Sequence, residues 1–518
     1  MTVDKKKKPP RRRRAALTLS GICTALTTAA AYGEIYVDPR LAAAVAYVDN
    51  SDLASANTSG QFVEQAIPGI RLSYDGLRAQ VFLDYQLQAL RFEGDGSNQV
   101  FQQGQFGLQA AALQDWFYFD LGAAREQTVV NPAAQVNTGN LFQVGNTADS
   151  VNAHVTPILR HSFSYADLEA KYTYGFVHYT QAGNLQTPGN LSFDNSKNQN
   201  ELVRLSSNDP LARFSWEARY RHDKVDYDIA EDLDYEQVYG QLGFHLTPSL
   251  QLLGRGGRES DPREGVSTGG LTATSWMGGF SWLDAERTEL RVLAGRRFFG
   301  TAYDGLLRYT GRVLDMNVSY IEEPTTQSQD QVLRSTSTPT TTDLVPTQIV
   351  GGNQLIGNGQ FARAGTDIYL LKRLTGQIGL RGRLTTIYLS LYSERRSYFT
   401  LPLGEDRVHG ATITATRKLG PTLTLEGDAS IDDETLREGD AFRQYTYAVR
   451  LIQQLGLRTR LTLSGNRTQR SGGLNPYSAN WVLLQVEMHF GRTAPATGVG
   501  LRPTAPNRPT FPTVPQYR

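Results

Sequence analysis

LRAQVFLDYQLQALR, residues 77–91, decides the fold. Leu77, Ala79, Val81, Leu83, Tyr85, Leu87 and Ala89 occupy alternate positions, and Arg78, Gln80, Asp84, Gln86 and Gln88 stand between them, interrupted by Phe82 and Leu90. A period of two belongs to a β-strand, whose successive side chains point to opposite faces, and not to a helix, which repeats at about 3.6. The two faces of this strand therefore meet different surroundings, one apolar and one wet.

The same alternation recurs down the chain. Leu168, Ala170, Tyr172, Tyr174 and Phe176 oppose Glu169, Lys171 and Thr173; Phe214, Trp216, Ala218 and Tyr220 oppose Arg213, Ser215, Glu217, Arg219 and Arg221; Val482, Leu484, Val486, Met488 and Phe490 oppose Leu483, Gln485, Glu487 and His489. Several segments reach the roughly 9–11 residues that a tilted strand needs to cross a bilayer, whereas soluble strands average about five or six. Mid-strand charge is costly in a sandwich core, but the water of a barrel lumen accommodates it. Short links at Asp75-Gly76, Thr247-Pro248-Ser249, Gly420-Pro421 and Gln454-Leu455-Gly456 alternate with long ones near residues 50–61, 127–150, 180–197, 259–272 and 323–361. Tight turns on one side and long loops on the other are the asymmetry of bacterial barrels. The expected fold is all-β, a transmembrane antiparallel up-and-down barrel of about 22 strands, with about 18 to 24 as the range.

Composition agrees. Mean hydropathy is −0.39, and beyond the first residues the longest apolar run is Leu41 to Val48, far below the roughly 18–20 residues of a spanning helix. Lys5 to Lys8 and Arg11 to Arg14 precede the mildly apolar Ala15 to Ala31, with small residues near Ala31 and Gly33. This is the layout of a secretory signal peptide over residues 1–33, rather than a nucleic-acid-binding arm or a twin-arginine signal. Its removal takes eight of 52 basic and one of 51 acidic residues, leaving 44 against 50 and a net charge near −6. Cys23 leaves with it, so the mature chain has no thiol to mispair in an oxidising periplasm; Ile22 before Cys23 argues against a lipoprotein signal. Residues 34–490 are the expected barrel. Gly491 to Arg518, with prolines at 495, 503, 506, 509, 512 and 515, cannot pair in a ladder and reads as a disordered periplasmic tail, or as a tether.

Local patterns resemble the outer-membrane barrel family associated with PEP-CTERM sorting and exopolysaccharide gene clusters. They are Asp49-Asn50; Ile67-Pro68-Gly69-Ile70-Arg71-Leu72 and the hairpin through Tyr85; Trp276, Gly279 and Trp282; Arg287-Thr288; Gly295-Arg296-Arg297-Phe298-Phe299-Gly300 with Tyr303; and Ser319-Tyr320 and Thr325-Thr326. The resemblance implies a Gram-negative outer-membrane location and a role in making or exporting exopolysaccharide beside an exosortase-type system, and it implies no catalytic residues. The unusually basic leader and the proline-rich tail depart from the family pattern. Read without the family, Pro68 is expected at an edge-like or bulged position with Gly69 allowing a bend. Trp276, Phe280 and Trp282 are expected on one face near a turn, as an aromatic girdle. Arg296, Arg297, Phe298 and Phe299 read either as an extracellular rim that grips a sugar or as an aromatic belt whose arginines reach lipopolysaccharide phosphates.

No catalytic, cofactor or metal site is legible. The histidines at 154, 161, 178, 222, 245, 409 and 489 are scattered, without metal-ligand spacing. His161 and Ser162 are strand neighbours on opposite faces and cannot pair. Gly254-Arg255-Gly256-Gly257 lacks the strand-to-helix setting of a phosphate loop. The acidic segments Asp226 to Glu236 and Asp432 to Asp440 lack the spacing of a calcium loop and read as solvated outer surface.

Charge on the polar faces is the functional clue. Arg78, Asp84, Glu169, Lys171, Arg213, Glu217, Arg219, Arg291, Arg450, Arg458 and Arg460 are the expected lumen-lining residues. They either attract an anionic polymer, with arginines holding its carboxylates or phosphates, or form a ladder of salt bridges that stiffens the wall or closes the pore. The expected partners are outer-membrane lipid and lipopolysaccharide, the outer-membrane assembly machinery, an anionic exopolysaccharide and periplasmic export components, with no nucleic acid. The rival reading is a closed structural or adhesive barrel whose long loops, above all Pro324 to Gln360, bind surface polymers. A TonB-linked transporter is disfavoured because strand pattern begins by residue 40, leaving no room for a plug domain.

Overall fold

The computed structural model describes residues 34–491 apart from residues 77, 95, 115, 181–193, 210–211, 263–270, 285–286, 336–365 and 400–403. The expected signal peptide (residues 1–33) and, apart from Gly491, the expected tail lie outside the described residues. In chain order, the strands pair as β1 (Glu34–Val48) with β2 (Gln61–Asp75), β3 (Ala79–Phe92) with β4 (Asn98–Leu113), β5 (Phe117–Val129) with β6 (Thr147–Ser162), and β7 (Ala166–Thr180) with β8 (Ser196–Ser207). Then come β9 (Phe214–Tyr227) and β10 (Leu233–His245), β11 (Leu250–Glu259) and β12 (Ala273–Asp284), and β13 (Thr288–Arg297) and β14 (Gly300–Thr310). After β15 (Leu314–Thr326) the chain forms helix α1 (Gln327–Ser335), and it returns in β16 (Ile368–Arg381). Completing the wall are β17 (Thr385–Tyr398), β18 (Glu405–Lys418), β19 (Leu423–Thr435), β20 (Ala441–Gln454), β21 (Thr459–Gly472) and β22 (Tyr477–His489).

Each strand pairs antiparallel with its sequence neighbours, and β1 pairs with β22 from Arg40↔His489 to Val48↔Trp481, so the 22-stranded sheet closes into a barrel. Closure leaves no sheet edge, which is the condition for strands to cross a bilayer. No helix among the described residues is long and apolar enough to do so. At the rim where β1 begins and β22 ends, the ten links run three to six residues, as at 76–78 and 208–213; links at the opposite, loop rim reach from residue 327 to 367. Strand number and turn asymmetry match the sequence expectation.

Face assignment follows from exposure. Leu41, Val45, Tyr47, Leu242, Val449, Val482 and Leu484 lie on the outside and are exposed, while Ala44, Ala46, Val48 and Gln65 point inward and are buried. Pro68 departs from expectation. Its register with β1 is unbroken (Leu41↔Pro68), and Ala66↔Ala89 and Gly69↔Gln86 keep one register with β3 on either side of it. The missing N–H drops the rungs at 67 and 68 toward β3 without forming a bulge. Pro157 does the same between Val155↔Tyr174 and Ile158↔Lys171. The acidic segments also differ: Asp226 and Glu236 lie on β9 and β10, and Asp432, Asp433 and Glu434 on β19, so the connecting turns are only 228–232 and 436–440.

At β12 and β13 the backbones come too close for a side chain. A Cβ on Gly279 would stand 1.9 Å from the Val292 carbonyl oxygen, and one on Gly295 would stand 2.0 Å from that of Trp276. Glycine at such points lets a barrel wall turn sharply. Gly279→Ala is expected to cost about 2 kcal/mol, read as a lower urea midpoint of the lipid-folded protein. Gly278→Ala should leave the midpoint unchanged, because its Cβ would meet nothing closer than the Leu253 carbonyl oxygen at 3.9 Å.

Candidate functional site

Cross-strand partners share a face, so register decides which charges meet inside the barrel. Arg40, Arg71 and Asp84, on β1, β2 and β3, form one group: Arg40 pairs with Asp84, and Arg71 with the same carboxylate at 2.8 Å. Gly69, opposite Arg40, leaves the room this arginine needs; a Cβ there would lie 2.9 Å from Arg40 Nε. Asp38 accepts from His489 at 2.7 Å, closing the seam between β1 and β22. Around the wall, Asp120 meets His154 at 2.8 Å, and Glu169 meets both Arg160 (2.8 Å) and Lys171 (2.6 Å). Glu217 takes Arg204 at 3.0 Å, and Asp304 takes Arg291 at 3.2 Å. Arg450 bridges Glu426 and Asp428, and Arg460 pairs with Glu487. These groups form a charged belt in the half of the wall nearer the short turns.

Eight of the eleven expected lumen residues lie on strands of this belt: Asp84, Glu169, Lys171, Glu217, Arg219, Arg291, Arg450 and Arg460. Arg78, Arg213 and Arg458 do not. Each lies in a short turn just before a strand and is exposed; Arg213 stacks over Phe244 with Cζ 5.1 Å from the ring centroid. The alternation of the following strand runs one or two residues past its true start, so pattern alone places a turn residue in the wall.

The aromatic positions also differ from expectation. Trp276 and Trp282 share the outer face with Phe280, but Trp276 is near the loop rim and Trp282 near the short-turn rim. They lie about 20 Å apart along the strand and mark two girdles rather than one. Arg296 is exposed on that outer face opposite Trp276. Arg297, Phe298 and Phe299 fold inward instead of forming an exposed rim. Arg297 is held by Glu259 at 2.8 Å, the Tyr235 hydroxyl at 2.7 Å and the Glu322 carbonyl at 2.6 Å. Phe298 packs against Val225, Tyr235 and Ile368, and Phe299 against Leu253, Met277 and Leu293.

Two segments enter the lumen from the loop rim, and sequence reasoning missed both. Residues 130–146 carry Leu141 and Phe142 into a buried apolar cluster with Val48, Val63, Phe92 and Trp481. Arg470 of β21 donates to the carbonyls of Ala134, at 2.8 Å, and Pro132. Helix α1 crosses from β15 to β6, β7 and β8. Ser328 bonds Ser196 and, at 2.8 Å, Asn198; Gln331 accepts from Tyr179 at 2.9 Å; Asp330 faces Arg373 at 3.4 Å. Arg373 and Arg396 share Glu394, which has no exposed side-chain surface. The available signal was weak: Val130, Val136, Leu141, Phe142 and Val144 stand in a link that shows no strand alternation. Pro324 to Gln360 is thus not one surface loop, since β15 runs to Thr326 and α1 turns inward; residues 336–360 lie outside the described residues.

No family model and no curated protein matches this sequence. Solved structures do match in architecture. Among them are OpdK of Pseudomonas aeruginosa, crystallised with vanillate, at 12% identity and TM-score 0.33, covering 88% of this chain and 99% of that one. The FrpB iron transporter of Neisseria meningitidis matches at 10% and 0.45, covering 88% and 81%. An anion-selective porin of Comamonas acidovorans matches at 9% and 0.30, covering 88% and 100%. The likeness is one of barrel fold and carries nothing about substrate.

Proposed function

We propose that this chain is an outer-membrane barrel of a Gram-negative cell that serves export of an acidic exopolysaccharide, beside an exosortase-type PEP-CTERM system. The observation that carries the reading is the charged belt: polar and ionised side chains line the inside of a closed wall whose outer face is apolar and banded by tryptophan. Such a wall stands in lipid and keeps a wet interior. The resemblance of the Trp276 to Gly300 region and of the Ile67 to Leu72 segment supplies the link to exopolysaccharide. Lipopolysaccharide at Arg296, the assembly machinery at β22 and periplasmic export components are the partners this reading requires.

A second reading has its own observation. The belt charges are largely paired, and α1 and residues 130–146 occupy the loop rim, as a closed structural or adhesive barrel needs. Planar-bilayer recording of the refolded chain separates the two. The export reading expects stepwise conductance, together with loss of surface polysaccharide when the gene is deleted; a barrel that shows heat-modifiable migration yet stays electrically silent overturns it and leaves the closed barrel.

A further inference from the structure

The belt is not evenly charged. On the lumen side of the seven strands β8 to β14, from mid-wall toward the short turns, stand Arg204, Arg219, Arg255, Arg291 and Arg308 against three carboxylates, Glu217, Glu289 and Asp304, with Glu289 and Arg308 paired to each other at 3.3 Å. Glu217 is engaged by Arg204, and Asp304 is shared by Arg291 at 3.2 Å and Arg255 at 3.6 Å. No carboxylate among the described residues pairs with Arg219. Its Nη1 donates to the Tyr239 hydroxyl at 3.3 Å, and its Nε is buried without a partner. The Tyr239 ring lies between two guanidiniums, with Arg255 Cζ 4.5 Å and Arg219 Cζ 6.0 Å from its centroid.

Across the barrel the balance reverses. In a ring of 22, β8 to β14 centres on β11, and the strand directly opposite is β22. The seven strands from β19 through the seam to β3 carry Arg40, Arg71, Arg450 and Arg460 against Glu34, Asp38, Asp75, Asp84, Glu426, Asp428 and Glu487. A ladder that merely stiffened the wall needs equal charges on each side. This wall instead sets a positive surplus against a negative one, a field that draws an anion to β8–β14 and away from the seam.

We propose that the patch centred on Arg219, Tyr239 and Arg255 binds the carboxylates of an acidic polysaccharide. It rests on the reading of the lumen as a polymer path. Arg219 can offer the two Nη groups of its guanidinium to a carboxylate in two parallel hydrogen bonds, while Arg255, whose Nε and Nη2 donate to Gln241 Oε1 at 3.1 and 3.0 Å, adds positive charge from the other side of the tyrosine ring. Because α1 and residues 130–146 enter from the loop rim, the patch is loaded from the short-turn side, the side an exported chain reaches first.

The test is calorimetric titration of the full chain in nanodiscs with a short oligogalacturonate. Wild type should bind it and ignore a maltooligosaccharide of equal length. Arg219→Gln with Arg255→Gln should weaken binding about 100-fold, as the loss of a charged hydrogen-bonding group and of the positive charge beside it implies. Asp304→Asn, which frees Arg255 and Arg291 from their shared carboxylate, should tighten it, a gain that misfolding cannot mimic. Unchanged affinity in both variants overturns the site. Inorganic phosphate binding as tightly as the oligomer overturns the polymer and leaves a small-anion site. Binding without bilayer conductance sinks the export path while leaving the site; conductance without binding does the reverse.

Discussion

Glu394→Ala is expected to lower the unfolding free energy by about 4 kcal/mol, because removing one member of a buried ion cluster leaves the others charged and dry. Glu394 has 0% side-chain exposure and stands between Arg373 at 4% and Arg396 at 6%. Without it, two guanidiniums face each other with Asp330, 3.4 Å from Arg373, as the carboxylate left beside them. The measurement is urea unfolding of the lipid-folded barrel, followed by tryptophan fluorescence. Glu405 is the control. It too sits between two arginines, Arg395 and Arg407, but these are 52% and 59% exposed, so Glu405→Ala should cost under about 1 kcal/mol. Equal losses in the two variants would show that the interior around Glu394 is as wet as the outer surface.

Val332→Asp is expected to undock α1 while the barrel stays folded. Val332 is buried against Val177 and Tyr179, and the space of a Cβ on Gly175 is already taken by Val332, 2.6 Å away. An unpaired carboxylate there costs several kcal/mol, and the helix can avoid that cost by leaving, since its ties include polar contacts to Ser196, Asn198, Tyr179, Asp223 and Arg373 that water can replace. At about 4 kcal/mol the docked-to-free ratio falls roughly a thousandfold. The ladders of β6, β7 and β8 are untouched, so heat-modifiable migration should persist. Protease cleavage within residues 327–335 should then accelerate by at least about a hundredfold, given that cutting of a transiently opened segment tracks its open population. Wild-type protection in the variant would mean that the helix is held by something stronger than these contacts.

The barrel was legible because alternation is a local property: Val81 to Ala89 declares its two faces without knowledge of any partner strand, and Asp75-Gly76 or Gly420-Pro421 declares a turn on its own. What pairs with what was not legible. Arg40 with Asp84, Arg204 with Glu217 and Arg255 with Asp304 are set by register, which depends on every hairpin closing at the right residue. The same limit placed Arg78, Arg213 and Arg458 in the wall, though each lies one residue before its strand begins. Segment 130–146 and α1 were hidden for a different reason. They take their position from the wall they lean on, so neither shows the period-two alternation of a strand, and Phe298-Phe299 turns inward at the tip of the short hairpin of β13 and β14.

That short hairpin has a consequence for the surrounding lipid. Strands β11 to β14 have 10 to 12 residues, while β1, β2, β4, β6 and β7 have 15 or 16. With about 3.3 Å per residue and a tilt near 40°, that is a height of about 25–30 Å on one flank against nearly 40 Å on the other. Bilayer thickness must adjust unevenly around such a skirt, thinning beside the short flank. Neighbouring proteins of small hydrophobic height would collect on that side, giving the barrel a preferred orientation within a crowded membrane.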